Sequence, residues 1–541
     1  MKFEIVIAGG GFAGAYCAKS LAHYLGKSGI QRVGLIAEQN IMVFQPMLAE
    51  VAGASLSPLD VVNPLRQFCR GVNVLRGKIQ AVNLEKRQLV LDAGRFTTNI
   101  TVDYEHLVLA IGSVVDLSRV PGMPEHALVF KNVGDALKLR TTIINRLEEA
   151  SLESDRDVLV RLLTFVVVGG GYSGVETGGQ ILDFVNDVKH FYHNLERAKI
   201  RVVLVHSGPR LLPEVSESLG RYAERKLRQR GMEIILNARV ISMTAHKVFL
   251  NNGQSIETCT TLSTVGNAPH PVLLDLCKKY RLEEYKGRIV TEPTMRVKGH
   301  ERLWAAGDCA AVPQGTEPAS PPTAQFAQRQ GKLLGKNLAL CLRNENPQPF
   351  RHKNLGQLAS IGHKVAVAEI LGVRFSGFIA WFIWRTIYLF KLPGLQRKLR
   401  VMVDWTMDLF FPRDVSLLLP TPTKLLAEMH LEKGDVIFHA GEPAFSYYII
   451  KQGRVDLFDG DRRFKTLREG EHFGERALLG DGKWHFSAIA AEPTTLVSVS
   501  REAFDTFYNS SQTFRDWLEK PEAHVGHEFE KEPDRLSGVE R

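Results

Sequence analysis

Lys2-Phe3-Glu4-Ile5-Val6-Ile7-Ala8-Gly9-Gly10-Gly11-Phe12-Ala13-Gly14 opens the chain, and its reading decides the fold. Lys2 to Ala8 is a short, largely apolar run of the kind found in buried parallel strands. Gly9 to Gly14 spells a full G-x-G-x-x-G, and Ala15 to Leu25 has helical composition. Strand, glycine turn and helix in that order form the dinucleotide-binding fingerprint. Gly9 makes the tight turn, Gly11 lets the backbone approach a diphosphate, and Gly14 lets the helix pack on the strand. The diphosphate rests on free N–H groups at the helix start, where the macrodipole favours anions. Val33 to Ala37 reads as the next strand, and Glu38 ends it with a carboxylate able to accept from ribose hydroxyls. A glycine turn of this kind also occurs without a ligand, but the strand, the helix and Glu38 together favour the dinucleotide.

The pattern recurs. Phe165 to Val168 is a second strand, Gly169-Gly170-Gly171-Tyr172-Ser173-Gly174 a second turn, and Arg201 to Val205 the strand that follows. Two complete units predict two dinucleotides. Oxidoreductases that pass hydride between a nicotinamide and a flavin have this layout. The second unit lacks its acid: His206 stands where a carboxylate is expected, followed by Arg210. An imidazole cannot chelate both ribose hydroxyls, and an arginine nearby suits a 2′-phosphate. NADH is the expected substrate, with NADPH left open. Gly307-Asp308 closes a further strand, and Asp308 is placed to reach ribityl hydroxyls or the diphosphate region. Its position after the second unit predicts that the chain returns to complete the first domain.

Length and composition bound the rest. The 541 residues suggest three or four domains. A 44% apolar and 23% charged composition permits a large core, and the net charge of +9 suits an anionic membrane surface as well as nucleic acid. Cys17, Cys69, Cys259, Cys277, Cys309 and Cys341 are scattered with no C-x-x-C, which argues against a zinc site or redox disulfide and for a reducing compartment. No metal site is expected. With the first strand at the start of the chain, no signal peptide is expected, and without a run of ~20 apolar residues no transmembrane helix is expected.

Val43-Phe44-Gln45-Pro46-Met47-Leu48, Leu56-Ser57-Pro58-Leu59-Asp60, Asn63-Pro64-Leu65-Arg66 and Pro321-Pro322-Thr323-Ala324-Gln325-Phe326-Ala327-Gln328-Arg329-Gln330-Gly331 resemble the type II NADH:quinone oxidoreductase family over roughly residues 1–412. The resemblance implies FAD in the first unit, NADH in the second and a quinone pocket beside the flavin. It makes Gln45 and Gly112 further cofactor contacts, puts Glu176 near the meeting point of the two rings, and puts Gln325 near the quinone. Arg329 departs from that family's glutamine pair and joins the quinone pocket. Glu176 and Gln325 are the expected catalytic residues, with carboxylates serving proton delivery to the reduced quinone.

Residues 371–411 hold Phe378, Trp381, Phe382, Trp384, Tyr388 and Phe390, followed by Lys391, Arg397, Lys398, Arg400 and Trp405. Aromatic anchors beside basic residues predict helices lying in the headgroup plane, with Trp381 and Trp384 as anchors. A sixteen-residue helix spans only ~24 Å, short of the ~30 Å hydrocarbon core. Pro412 to Pro422 reads as a linker. Short strands broken by Gly434, Gly441, Gly453 and Gly470 then predict a β-roll or jelly roll. Gly474-Glu475 within Phe473 to Leu479 resembles the start of the phosphate cassette of cyclic-nucleotide-binding domains, with Glu475 meeting the ribose 2′-OH. The cassette's phosphate arginine is absent, and Phe486 or a neighbour occupies its place.

The predicted architecture is therefore α/β with two Rossmann-type domains: 1–120 with 286–350 for FAD, and 121–285 for NAD(P)H. Membrane-attachment helices follow in 351–412, then a linker at 413–423, a β-roll at 424–510 and a disordered tail at 511–541. Expected partners are a membrane quinone, an anionic membrane surface and a second copy of the chain, with no nucleic-acid reader. The expected location is peripheral, on the cytoplasmic face of the cell membrane. A soluble NAD(P)H oxidase or ferredoxin reductase, and a redox-responsive regulator, are the alternative readings.

Overall fold

The computed structural model describes residues 1–510 except 30–31, 95–96, 196–197, 353–355, 363, 417–425 and 481, and beyond 510 only Arg515 and Leu518. The predicted tail at 511–541, apart from those two residues, lies outside the described residues, as do 417–423 of the predicted linker. The chain divides into two compact units, Met1–Leu418 and Leu419–Arg541.

In the first unit, β1 (Lys2–Ala8) leads through the glycine turn into α1 (Phe12–Gly29) and then β2 (Val33–Ala37). β1 lies parallel between β2 and β3 (Ile100–Leu109), with Ile7 opposite both Leu35 and Val108. These strands are nearly continuous apolar runs because both faces of the sheet are covered. A second parallel sheet is built on β4 (Thr164–Val168), whose glycine turn opens α3 (Tyr172–Val188), and on β5 (Arg201–Val205). The short α2 (Leu48–Ala52) lies entirely buried in the same unit.

The chain then returns to the first sheet. β6 (Leu303–Ala305) runs parallel to β3, with Trp304 opposite Val108, and ends at the Gly307–Cys309 turn. The helix that follows, α4 (Ala324–Leu342), packs close on α1. A Cβ on Gly331 would stand 2.2 Å from the Ala13 carbonyl oxygen, so the two backbones meet because this face of α4 carries no side chain there.

Residues 351–412 differ from the expected run of helices. Their first half is a three-stranded antiparallel sheet, Gly356–Ser360, Ala366–Ile370 and Val373–Gly377, with Ala359, Val367 and Ala368 buried. Only then come α5 (Phe378–Lys391) and α6 (Leu395–Met407). The predicted anchors Trp381 and Trp384 turn inward with Trp405, each less than a tenth exposed. Positions 381, 384 and 388 share one helical face, and Arg385 is clamped between the Trp381 and Trp405 rings at 4.0 and 4.6 Å. The exposed face is a different set: Phe378, Phe382, Phe390, Leu395, Phe410 and Phe411. Among the described residues no helix is long and apolar enough to cross a membrane.

The predicted linker start is also corrected. Arg413 is buried, pairs with Asp187 at 3.2 Å and Asp408 at 3.5 Å, and donates to the Gly53 carbonyl at 2.9 Å. Residues 413–416 thus belong to the first unit, held by buried charge.

The second unit is a β-roll of two four-stranded antiparallel sheets. One contains Leu426–Leu431, Thr494–Ser500, Ser446–Gln452 and His472–Phe473; the other contains Val436–Phe438, Ser487–Ala490, Val455–Asp459 and Arg462–Leu467. Phe438, Tyr447, Phe473, Trp484 and Phe504 fill its core.

Candidate functional site

The first glycine turn has the geometry its spacing predicts. Gly9 adopts φ +117°, and a Cβ there would lie 2.1 Å from the Ala110 carbonyl oxygen. A Cβ on Gly14 would lie 1.8 Å from the Gly9 oxygen, whereas one on Gly11 would meet no atom within 4 Å. Gly9 and Gly14 are therefore required by packing, and Gly11 leaves an open cradle at the start of α1. Glu38 stands exposed at the end of β2, and Gly112 follows β3 with φ +69°. The Gly307–Cys309 turn is held by buried Gln330, whose Oε1 accepts from the Gly307 N–H at 2.8 Å and whose Nε2 donates to Ser320 Oγ at 2.7 Å. Burial raises the Asp308 carboxyl above its ordinary range, against the pull of Lys131 and Arg288. An open cradle, an acid at the strand end and a half-buried acid near two cations fit a flavin dinucleotide.

A cavity of about 1020 Å³ joins this region to the second Rossmann unit. Gln45, Asp308 and Gln325 line it from the flavin side; Gly169, Gly171, Gly174, Glu176 and His206 line it from the other. Gly9, Gly11, Gly14, Glu38, Gly112, Arg210 and Arg329 are not among its walls. Gln45 is fixed by donation from Nε2 to the Lys131 carbonyl at 3.2 Å.

Glu176 lies in the second turn of α3, where the Ser360 N–H donates to Oε1 at 3.0 Å. Burial lifts its carboxyl to about 8, and nearby Glu50 adds to the rise. Glu50 was not legible in the sequence. It sits on α2, accepts from Trp405 Nε1 at 3.3 Å, and is itself raised by burial to about 7 against the pull of Arg385. Glu176, in the cavity wall, and Glu50, whose charge acts on it, thus both hold protons near neutrality.

Gln325 and Arg329 are joined by a residue that no motif marks. His352 contacts Gln325 Nε2 at 3.2 Å through its Nε2 and Arg329 Nη1 at 3.1 Å through its Nδ1. A guanidinium only donates, so Nδ1 accepts and the ring proton sits on Nε2. Gln325 must then turn its carboxamide oxygen to His352, which leaves its NH2 group to the cavity. Burial and the charges of Arg329 and Lys391 keep His352 neutral, pushing its pKa down. Tyr388 and Lys391 of α5 complete this wall.

At the second turn, His206 Nδ1 accepts from the Gly170 N–H at 3.1 Å. Its neutral form therefore offers a ribose only a donor, at Nε2. Arg210 does not serve the expected role. Its guanidinium donates to the carbonyls of Pro213 at 2.8 Å and Val215 at 2.9 Å, holding its own loop. Glu214 and Arg239 line this part of the cavity instead, with Glu214 Oε1 3.3 Å from where a Gly171 Cβ would stand. Neither was marked by motif spacing; both arrive through loops.

In the β-roll, Gly474 takes φ +113° and opens the short helix Glu475–Leu479. Glu475 is almost fully buried, with Oε2 3.7 Å from His472 Nδ1. Its carboxylate thus faces the interior rather than an open ribose site. Trp484 stacks on Phe438 at 3.6 Å, and Phe486 packs against Phe438 and Phe464, both at 5.8 Å. An aromatic cluster therefore stands where the cassette's arginine is missing.

Residues 3–331 match the pyridine nucleotide-disulphide oxidoreductase family model, 354–414 the NDH2 C-terminal domain, and 428–511 the cyclic nucleotide-binding domain. Type II NADH:quinone oxidoreductase Ndh of Mycobacterium tuberculosis is 30% identical over 444 residues, covering 80% of this chain and 93% of the relative. The mitochondrial internal alternative NAD(P)H-ubiquinone oxidoreductase A1 of Solanum tuberosum is 28% identical, covering 77% of this chain and 88% of its own length. The structure of NDH2 from Plasmodium falciparum in complex with NADH superposes with a TM-score of 0.70 at 19% identity, over 76% of this chain and 99% of that one.

Proposed function

Because the chain belongs to the type II NADH:quinone oxidoreductase family, we propose that its 1020 Å³ cavity is where electrons pass from NADH to a quinone, and that residues of both Rossmann units divide the work. The protein is an NADH:quinone oxidoreductase of the two-dinucleotide flavoprotein fold, with FAD as its cofactor and a cyclic-nucleotide-binding-type domain appended. One observation carries the division of labour: a single cavity is walled by the second glycine turn on one side and by Gln45, Asp308 and Gln325 on the other. Hydride transfer needs its two partners in contact, so dinucleotide sites that open into one cavity are the required arrangement.

FAD, when bound, accepts hydride from the nicotinamide and returns two electrons to the quinone. Gly9, Gly11, Gly14, Glu38, Gly112 and Asp308 would hold it. Gly169, Gly171, Gly174 and His206 would hold NADH, with Glu214 and Arg239 at the ribose end in place of Arg210. Gln325 directs its NH2 group at a quinone carbonyl, while His352 and Arg329 fix the orientation of that amide. A quinone that takes up two electrons also takes up two protons. Glu176 holds one below about pH 8, and Glu50, whose charge acts on it, is the group we assign to resupply it.

The exposed faces of α5 and α6 lie on a membrane in this reading. Phe378, Phe382 and Phe390 enter the headgroup region, and basic residues including Lys398 and Arg400 meet anionic lipid. Attachment is peripheral. We assign the cytoplasmic face, a reading with which the six free cysteines are compatible. A second copy of the chain is the competing occupant of the apolar face.

Purified protein tests the whole reading. NADH should bleach the flavin colour, a quinone should restore it, and Glu176→Gln should slow the second step more than the first. Bleaching that no quinone reverses, with the colour returning only in oxygen, would favour an oxidase.

A further inference from the structure

A second cavity of about 1430 Å³ opens in the same unit, behind the quinone wall. α1 contributes Lys19 and His23, and the segment after Asn63 contributes Gln67 and Arg70. Arg329 and Lys332 come from α4, and Lys391, Arg397 and Lys398 from the end of α5 and the start of α6. Among the described residues no Asp or Glu lines it. Asp60 offsets part of the charge at one edge: it hydrogen-bonds to Asp404, pairs with Arg400 at 3.9 Å and interacts with Arg397.

Lys19, Lys332 and Lys398 are positioned by aromatic rings and a carbonyl rather than by carboxylates. Lys19 Nζ stands 4.4 Å over the Phe68 ring and Lys332 Nζ 5.4 Å over Tyr16. Lys398 Nζ donates to the Phe390 carbonyl at 3.0 Å. A pocket lined by cations and, among the described residues, by no carboxylate is the shape of an anion site. Its wall also has an apolar part, Phe390, Leu392 and Pro393, of which Phe390 is exposed, and Leu395 and Leu399 of α6 are exposed too. A free anion uses the cations and leaves the apolar part bare. A lipid uses both.

We propose that this cavity binds the phosphate headgroup of one anionic phospholipid, with the acyl chains leaving along Phe390, Leu395 and Leu399. The site rests on the membrane reading above and deepens it, since most of its cations lie outside the two helices that meet the membrane. Gln328 and Lys391 line both this cavity and the catalytic one, and Arg329 reaches His352. A bound phosphate neutralises charge behind the quinone wall, so the anionic lipid changes the KM for quinone.

The test uses full-length, FAD-loaded protein and the triple variant Lys19→Gln, Arg70→Gln, Lys332→Gln, none of which touches the quinone wall. Partition is measured on vesicles of phosphatidylcholine alone and with one part in five phosphatidylglycerol, and native mass spectrometry in neutral detergent counts retained phosphatidylglycerol. The wild type should retain one lipid per chain. The triple variant should bind neutral vesicles as the wild type does, yet bind phosphatidylglycerol roughly a hundredfold more weakly, and its quinone KM should no longer respond to that lipid. Phe378→Ser with Phe382→Ser should do the reverse, losing neutral vesicles and keeping the lipid in detergent. That separates failure of the site from failure of the membrane reading. The proposal is overturned if the triple variant retains the lipid undiminished. It is equally overturned if inorganic phosphate at matched ionic strength displaces the lipid, which would make the site one for free phosphate.

Discussion

Replacing Gly11 and Gly14 one at a time separates a glycine kept for a ligand from a glycine kept for packing. A Cβ on Gly14 would stand 1.8 Å from the Gly9 carbonyl oxygen, where ordinary contact begins at 3.4 Å. Gly14→Ala must therefore push α1 from β1 by about 1.6 Å, and overpacking of that kind costs roughly 1–3 kcal/mol or more. Alanine's better helix propensity returns at most about 1 kcal/mol. Gly11→Val meets no protein atom within 4 Å, so the chain gains no clash. It loses only a tolerable N-cap residue, worth about 1 kcal/mol at most. Its branched side chain fills the cradle through which the diphosphate would approach. The apoprotein of Gly11→Val should unfold within a degree or two of wild-type apoprotein yet take up no FAD. Gly14→Ala should melt several degrees lower and still turn yellow when FAD is supplied in excess. Thermal unfolding of both apoproteins by circular dichroism, and FAD titration followed by flavin fluorescence, measure the two effects. A yellow Gly11→Val with wild-type affinity would refute the assignment of the first unit to FAD.

Glu176 is protonated below about 8, so quinone reduction should fall as pH rises through that value. Glu176→Gln should abolish that limb while leaving the NADH-dependent bleaching phase nearly unchanged; stopped-flow mixing resolves the two. Arg239→Gln should lower NADPH turnover relative to NADH, whereas Arg210→Gln, which frees the carbonyls of its own loop, should lower the melting temperature and affect both nucleotides alike. In the β-roll, loss of the bidentate phosphate partner removes about 2–3 kcal/mol, or roughly 30- to 150-fold in affinity. Calorimetry on the full chain should find no sub-micromolar binding of cyclic AMP or cyclic GMP, and such binding, abolished by Glu475→Ala, would defeat the reading of an aromatic-filled site.

What the chain makes legible is local. A strand, a glycine turn and a helix occupy consecutive residues, so the two Rossmann units and the return through Gly307-Asp308 are visible in the amino-acid sequence alone. The inward turn of Trp381 and Trp384 is not, although the phase of α5 is available. A stripe at 381, 384 and 388 and another at 378, 382 and 390 are both apolar, and composition alone does not say which faces the protein. Burial of Arg385 between two indoles decides it, and that requires Trp405, which arrives from the next helix.

The proton-holding pair is half legible for a related reason. Glu176 is tied to the second glycine turn, so its place beside the cavity follows from the motif. Glu50 acquires its chemistry only where α2 packs beside α3 and Trp405 closes over it. On an exposed helix the same residue would be an ordinary carboxylate, ionised throughout the neutral range. His352 is the parallel case: a histidine in an irregular stretch, it becomes the rigid link between Gln325 and Arg329 once the chain folds back on α4. Where a motif donates its own backbone, sequence suffices to find the site. Where a site borrows a side chain from a distant element to set a proton or orient an amide, only the packing reveals it. The proton chemistry proposed for this cavity depends on both kinds of residue, with Glu176 supplied by the motif and Glu50 by the tertiary contact.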